Sequence, residues 1–155
     1  MQAGFNINSE IITREIDPDM TLQKFLRKEH YYSVKCGCET SNCGACTVLL
    51  DGKPVLSCSI LAARAAGHQI ETLEGLQKEA EEIGAYIADE GADQCGFCNP
   101  GYIITMIALF RSIPDPDDAT IKEWLSGNLC RCTGYEGQMR GFKAYRDSRR
   151  AHERP

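Results

Sequence analysis

The amino-acid sequence predicts an α+β protein with two domains, a strand-rich N-terminal domain and an all-α C-terminal domain of four helices. The first observation is a change of hydrophobic period along the chain. Short apolar runs separated by turn residues occupy residues 1–75, and apolar positions at helical spacing follow in residues 76–155. The second observation is the grouping of the nine cysteines. Each part contains a set of four, and the ninth lies beside the first set.

The N-terminal elements are predicted from turn signals between short apolar runs. Strands are predicted at residues 5–7 and 11–16, and a turn near Asn8-Ser9 joins them into a hairpin. Thr21 is the predicted N-cap of a helix that ends near His30. The remaining elements are strands at 47–50, 55–56 and 69–73, a hairpin turn at Asp51-Gly52, and a short helix from Cys58 to Ala66.

Four helices are predicted in the C-terminal part. The first ends at Gly91, after a stripe of apolar residues at spacings of three and four. Pro100 suits the first turn of the second helix, and residues 103–110 are apolar nearly all round, so this helix should be buried. The third helix is short and carries Trp124, and the last begins near Tyr135.

The first cysteine set has the spacing C-x4-C-x2-C-x11-C. This is the spacing of the ligands of plant-type [2Fe–2S] ferredoxins, in which four thiolates hold the cluster. Gly37 and Gly44 flank the loop and let the backbone turn sharply and approach the sulfur atoms. The predicted ligands of this cluster are Cys38, Cys43, Cys46 and Cys58.

The second set has the spacing C-x2-C-x31-C-x-C and predicts a second [2Fe–2S] cluster. A C-x2-C pair also serves zinc and dithiol chemistry, but a zinc site usually has two such pairs or histidine partners. Both halves of the set are predicted to lie just before a helix, where free N–H groups and a partial positive charge favour an anionic cluster. The predicted ligands are Cys95, Cys98, Cys130 and Cys132.

Three motifs resemble a known family. They are Cys43-Gly-Ala-Cys-Thr-Val, Gln94-Cys-Gly-Phe-Cys-Asn-Pro-Gly and Asn128-Leu-Cys-Arg-Cys-Thr-Gly-Tyr, in that order. The sequence resembles the small iron–sulfur subunit of molybdenum hydroxylases, the xanthine dehydrogenase and aldehyde oxidoreductase family, from about Phe5 to about Tyr145. The resemblance implies a plant-ferredoxin-like β-grasp domain followed by a four-helix [2Fe–2S]-binding domain.

The resemblance also implies contacts with a molybdenum–pterin cofactor. Gln94 matches a glutamine that contacts the pterin in the family, and Cys132 matches a cysteine near it; the alternative for Gln94 is a loop residue that caps a local backbone group. Glu39 and Ser41 stand where the family often has glycine, and the charge of Glu39 should lower the potential of the first cluster. Cys36 is interpreted as a spare thiol rather than a ligand.

The predicted function is electron transfer inside a larger oxidoreductase, with no catalytic residue on this chain. The resemblance implies a large partner subunit with the molybdenum–pterin cofactor and a medium partner subunit with FAD. Electrons would pass from molybdenum to the helical-domain cluster, then to the ferredoxin-like cluster, then to FAD. Purines such as xanthine are the favoured substrates of the complex, and nicotinate, aldehydes, carbon monoxide and aromatic thioesters are the alternatives.

Two other classes of protein are considered, a free ferredoxin-like carrier and a zinc-binding interaction module. The helical second domain argues against a free carrier, which needs only the first. A net charge of -5 argues against nucleic acid as a partner. The N-terminus has no signal-peptide pattern and no apolar run approaches the roughly 20 residues of a membrane helix, so a cytoplasmic protein is expected.

Overall fold

The computed structural model describes residues 1–152. It begins with two antiparallel strands, β1 (Gln2–Ile7) and β2 (Glu10–Glu15). Asn8 and Ser9 form the turn between them with φ values of 52° and 70°. A turn with two positive φ values matches the right-handed twist of a hairpin. The predicted turn at Asn8-Ser9 is therefore confirmed.

The N-terminal sheet has five strands in the order β2-β1-β5-β3-β4. The last three strands are β3 (Thr47–Leu50), β4 (Lys53–Leu56) and β5 (Gln69–Glu71). Only the β1–β5 pair is parallel; the other three pairs are antiparallel. This is the small mixed sheet expected for a ferredoxin-like domain.

One helix, α1 (Leu22–Lys28), fills the core of the N-terminal half. Thr21 is its N-cap, and the hydroxyl oxygen accepts a hydrogen bond from the Lys24 N–H at 3.3 Å. Phe25 is buried against Phe5 of β1, with ring centroids 4.1 Å apart. The helix therefore buries an apolar face against the sheet.

The predicted single helix over residues 58–66 is wrong. The structure has a 3₁₀ turn at Ser57–Ser59 and a four-residue helix, α2, at Ala62–Ala65. The two are separated because the backbone between them is extended and bonds to the start of α1, with the Ile60 carbonyl accepting from the Leu22 N–H at 2.7 Å. The separate turn is what carries the fourth cysteine of the first set.

Up to residue 152, the C-terminal half has four helices, as predicted. They are α3 (Gln77–Asp89), α4 (Asn99–Ser112), α5 (Asp118–Leu125) and α6 (Glu136–His152). Residues 101–110 of α4 are all buried, so this helix is the centre of the second core. The boundary that we predict near residue 75 stays a prediction. Within residues 1–152, no helix combines the length and apolar character needed to cross a bilayer.

The two halves pack closely against each other. Leu49 of β3 is buried in the core that α3, α4 and α6 build. On the surface, the Arg111 guanidinium binds Glu79 of α3 at 2.6 Å and Glu71 of β5 at 3.1 Å. Apolar and charged contacts thus hold the sheet against the helices, and they fix the position of one cysteine loop relative to the other.

Candidate metal centres

The first cysteine set lies on an irregular loop between α1 and β3. The loop carries no regular hydrogen-bond ladder, so its backbone N–H groups are free to point at sulfur. The Asn42 N–H donates to Cys38 Sγ at 3.4 Å, and the Ala45 N–H donates to Cys43 Sγ at 3.5 Å. Such donors stabilise a negatively charged sulfur, as iron–sulfur ligands require.

The four thiols of this set meet as two pairs. Cys38 lies within hydrogen-bonding reach of Cys43, and Cys46 lies within reach of Cys58. Cys58 arrives from the 3₁₀ turn, which is tied to the loop because the Ser57 hydroxyl donates to the Cys46 carbonyl at 2.7 Å. The structure therefore brings together all four cysteines of the predicted set.

Ser41 explains one departure from the family pattern. It has a φ of 58°, a left-handed conformation that glycine adopts without strain. Its hydroxyl lies 3.4 Å from Cys58 Sγ and accepts a hydrogen bond from the Ser59 hydroxyl at 2.8 Å. A serine at this position thus adds a hydroxyl group that can donate a hydrogen bond to the Cys58 thiolate. The part played by Ser59 was missed from the sequence, because no spacing rule marks it.

The pKa values within this set diverge for physical reasons. Backbone N–H groups, that of Asn42 first, lower the pKa of Cys38 to about 6. Burial raises the pKa of Cys46 to about 11. The lowered pKa of Cys38 favours its thiolate, the form of cysteine that binds metal.

The second cysteine set is assembled from two loops of the helical half. Cys95 and Cys98 lie between α3 and α4, and Cys98 directly precedes the first residue of α4, as predicted. Cys130 and Cys132 lie between α5 and α6. The second predicted helix start is displaced from them, because Gly134 and Tyr135 have φ values of 69° and 73° and delay α6 to Glu136.

The thiols of the second set also meet as two pairs. Cys132 Sγ lies 3.5 Å from Cys95 Sγ, and Cys98 lies within hydrogen-bonding reach of Cys130. Burial raises the pKa of Cys98 to about 12. Partial burial by itself would raise the pKa of Cys130. The Thr133 hydroxyl and nearby backbone N–H groups outweigh this effect and lower the pKa to about 7.

This arrangement fits two [2Fe–2S] clusters. Each iron of such a cluster takes two protein ligands, so a set of four thiols should divide into two pairs, as both sets do. Among residues 1–152, no group of three or more His, Cys, Asp or Glu side chains is arranged to hold a single metal ion. The assignment of the eight cysteines as ligands stays a prediction.

The two sets open onto one cleft. A cavity of about 540 Å³ between the two halves is lined by Cys38 and Cys43 from the first set and by all four cysteines of the second. The Cys43 carbonyl accepts a hydrogen bond from the Leu129 N–H at 2.9 Å. Leu129 directly precedes Cys130, so one hydrogen bond joins the backbones that carry the two sets.

Lys35 adds a positive charge at this cleft. Its ammonium group donates to the carbonyls of Gly96 and Phe97 at 3.2 and 3.1 Å and lies 4.9 Å from the centre of the Phe97 ring. A cation here favours the negatively charged, thiolate-bound clusters. The sequence alone did not indicate Lys35, because its partners are about sixty residues away along the chain.

The other predicted residues lie at the surface. Gln94 is exposed beside Cys95, and Cys132 is exposed on the same side of the cleft. Cys36 is exposed, and its Sγ lies 3.6 Å from the Cys38 carbonyl, outside both sets of pairs. Its interpretation as a spare thiol and the pterin contacts of Gln94 and Cys132 stay predictions.

Two family models match successive, overlapping parts of the chain. A model of the 2Fe-2S iron-sulfur cluster binding domain matches residues 5–81, and a model of the [2Fe-2S] binding domain matches residues 72–143. The chain therefore carries two domains of the [2Fe–2S]-binding class, one after the other.

Whole-chain relatives identify the family. The chain is 49% identical over 125 residues to a probable xanthine dehydrogenase subunit of Bacillus subtilis, covering 79% of this chain and 72% of the relative. It is 43% identical over 135 residues to the nicotinate dehydrogenase small FeS subunit of Eubacterium barkeri, covering 85% and 86%. The crystal structure of quinoline 2-oxidoreductase from Pseudomonas putida 86 matches with a TM-score of 0.87 and 36% identity, over 99% of this chain and 98% of that one. The chain belongs to the small [2Fe–2S] iron–sulfur subunits of the molybdenum hydroxylase family, the xanthine dehydrogenase and aldehyde oxidoreductase family.

Proposed function

We propose that this chain relays electrons from a molybdenum–pterin centre on a large partner subunit to FAD on a medium partner subunit. The observation that carries the proposal is the backbone hydrogen bond, 2.9 Å long, from the Leu129 N–H to the Cys43 carbonyl. Through it, a predicted ligand of one cluster is joined to the residue before a predicted ligand of the other. Each [2Fe–2S] cluster supplies a one-electron redox centre when bound.

Both sets have exposed residues, as the proposal requires, because each cluster must face a partner subunit. Cys95 and Cys132 are exposed on the helical half, beside Gln94. In the proposal, this face contacts the large subunit, and the helical-domain cluster receives electrons first. Residues 39–42 of the first loop are exposed on the other half, where they would face the subunit that holds the flavin.

We infer that the complex oxidises a purine such as xanthine. The relative with 49% identity is named as a probable xanthine dehydrogenase subunit, and the one with 43% identity as a nicotinate dehydrogenase subunit. The pocket that chooses the substrate belongs to the large subunit, so the similarity of this chain supports the inference indirectly. Mixing the native complex with xanthine or with nicotinate under anaerobic conditions tests it. Bleaching of the iron–sulfur absorption by nicotinate alone would contradict the purine inference.

The cluster content is tested on the chain as isolated with its partners. Two clusters of two irons predict about four iron and four inorganic sulfide for this chain. Zinc in place of iron, or only two irons in fully loaded protein, would contradict the proposal. A free carrier would elute near its own mass of 17.2 kDa in gel filtration of a native extract, and a subunit of a complex would not.

The order of transfer is tested with Cys43→Ser in the assembled complex. This variant should lose the ferredoxin-like cluster, so substrate should still reduce the helical-domain cluster while FAD stays oxidised. Rapid mixing with substrate follows the paramagnetic signal of the helical-domain cluster and the absorption of the flavin. Cys36→Ser is the matched control, because it removes a neighbouring thiol that we do not assign as a ligand. FAD reduction at the normal rate in Cys43→Ser would overturn the proposed order.

A further inference from the structure

Gln138 is a buried amide with an unusual imbalance in its hydrogen bonds. Its side chain lies in the first turn of α6 and the residue is only 1% exposed. The side-chain oxygen accepts a hydrogen bond from the Thr133 hydroxyl at 2.7 Å. The side-chain nitrogen has no hydrogen-bond partner, although it is buried. A buried N–H group without an acceptor is among the rarest features of folded proteins, so this one requires an explanation.

The Thr133 hydroxyl connects this amide to the second cysteine set. Its oxygen lies 3.1 Å from Cys130 Sγ and accepts a hydrogen bond from the Tyr135 N–H at 3.3 Å. A hydroxyl has only one proton to donate. With a protonated Cys130 thiol, that proton can go to Gln138, since the S–H can itself donate to Thr133.

The hydrogen bonds of the Thr133 hydroxyl change when Cys130 is an iron-bound thiolate. The sulfur then has no proton and can only accept, so Thr133 must turn its hydroxyl proton toward it. The amide oxygen of Gln138 would then face the lone pairs of the Thr133 oxygen at the same 2.7 Å. Rotating the amide by 180° exchanges its oxygen and nitrogen within the same volume. The rotated amide donates one N–H to Thr133, and an unpaired carbonyl oxygen takes the place of the NH2 group at the unpartnered position, which is the better tolerated of the two.

We propose that Gln138, Thr133 and Cys130 form a hydrogen-bond relay that raises the reduction potential of the helical-domain cluster. This inference rests on the proposed function. The Gln138 amide donates to the Thr133 oxygen, and the Thr133 hydroxyl donates to Cys130 Sγ. Reduction adds a negative charge to the cluster, so a donor aimed at a ligand sulfur stabilises the reduced form more than the oxidised form. Gln138 is a positioning residue, because it acts only through the direction of the Thr133 hydroxyl.

The test is a redox titration of the cluster-loaded complex, followed by electron paramagnetic resonance. Thr133→Val keeps the side-chain shape and removes the donor, so the helical-domain cluster should be reduced about tenfold less readily, which is about 59 mV for a one-electron couple. Gln138→Met keeps the volume and should shift the potential in the same direction by a smaller amount. Thr133→Ser retains the hydroxyl and should retain the wild-type potential. The other cluster is the internal control and should not shift in any variant.

The double variant Thr133→Val/Gln138→Met gives the sharpest outcome. If Gln138 acts through Thr133, the double variant has the same potential as Thr133→Val alone. Additive shifts, or a wild-type potential in Gln138→Met, would overturn the relay. If Thr133→Val does not retain its cluster, Gln138→Met and Thr133→Ser still decide, because the relay requires a lowered potential in the first and a wild-type potential in the second. Absence of the helical-domain signal from the wild-type complex would instead count against the proposed function.

Discussion

The contact between α4 and the first cysteine loop should tolerate no added atom, and Gly101→Ala tests this. A Cβ at Gly101 would lie 2.3 Å from the Gly44 carbonyl oxygen and 3.1 Å from Asn128 Nδ2. The nearer atom belongs to the backbone, so it cannot rotate away. Ordinary contact would require α4 and the loop to separate by about 1 Å, and overpacking of this kind costs about 1–3 kcal/mol.

Gly84→Ala is the matched control, because Gly84 also lies within a helix but has free space. A Cβ there meets only the Ile103 Cδ1 atom at 3.9 Å. Alanine is favoured over glycine in a helix by about 1 kcal/mol, so Gly84→Ala should stabilise the protein by that amount. Gly101→Ala gains at most the same helix propensity, and the clash with the Gly44 backbone opposes that gain. We expect a net loss of about 1 kcal/mol and a difference of about 2 kcal/mol between the two variants.

Urea unfolding of the cluster-loaded chain under anaerobic conditions, followed by circular dichroism, measures both variants. The midpoint should fall for Gly101→Ala and rise for Gly84→Ala relative to wild type. The same displacement should weaken the bond between the Leu129 N–H and the Cys43 carbonyl, so electron transfer between the clusters should slow. A midpoint for Gly101→Ala at or above that of Gly84→Ala would show that the two halves are not packed as described.

Three further outcomes are expected. Cys36→Ser should retain both clusters and Cys43→Ser should lose one, as counted by iron analysis and paramagnetic resonance; loss of a cluster from the first variant would show that the ligands are misassigned. Ser41→Gly removes a donor that lies 3.4 Å from a ligand sulfur, so it should lower the potential of the ferredoxin-like cluster alone in a redox titration; an unchanged potential refutes this role. Arg111→Gln breaks one ion pair between the two halves, with Glu71, and one within the second half, with Glu79. It should cost about 1 kcal/mol in urea unfolding, less at high salt, whereas Arg14→Gln, within the first half, should cost less; equal effects would contradict the assigned role.

The local features of the fold could be predicted because each depends on neighbours in sequence. Asn8-Ser9 and Asp51-Gly52 mark hairpin turns through their tolerance of positive φ, and Thr21 marks a helix start through its hydroxyl. The spacing of the cysteines was equally readable, since three of the first four lie on one short loop. These signals require no knowledge of what packs against the segment.

Features that depend on distant partners could not be predicted. The helix predicted over residues 58–66 is interrupted because Ile60 bonds to Leu22, a contact that no local propensity records. The role of Ser59 likewise depends on the position of Ser41, eighteen residues earlier in the sequence. Gln138 follows the same logic, since its amide matters only once Thr133 and Cys130 are placed beside it. Tertiary contacts determine the structure or role of each of these residues, and the local sequence pattern does not record those contacts.

The close approach of the two halves fixes the separation of the two cysteine sets, on which electron transfer between two clusters depends. The Gly44 carbonyl accepts hydrogen bonds from the Thr47 N–H at 3.1 Å, the Thr47 hydroxyl at 2.7 Å and Asn128 Nδ2 at 3.3 Å. Asn128 is buried and also accepts from the Thr105 hydroxyl of α4 at 3.0 Å, so one amide fixes the loop to the helical core. Electron transfer weakens steeply with distance, and a hinge at this point would vary the separation of the two cysteine sets. The buried hydrogen bond from Asn128 to the Gly44 carbonyl restricts that motion beside the bond between Leu129 and Cys43.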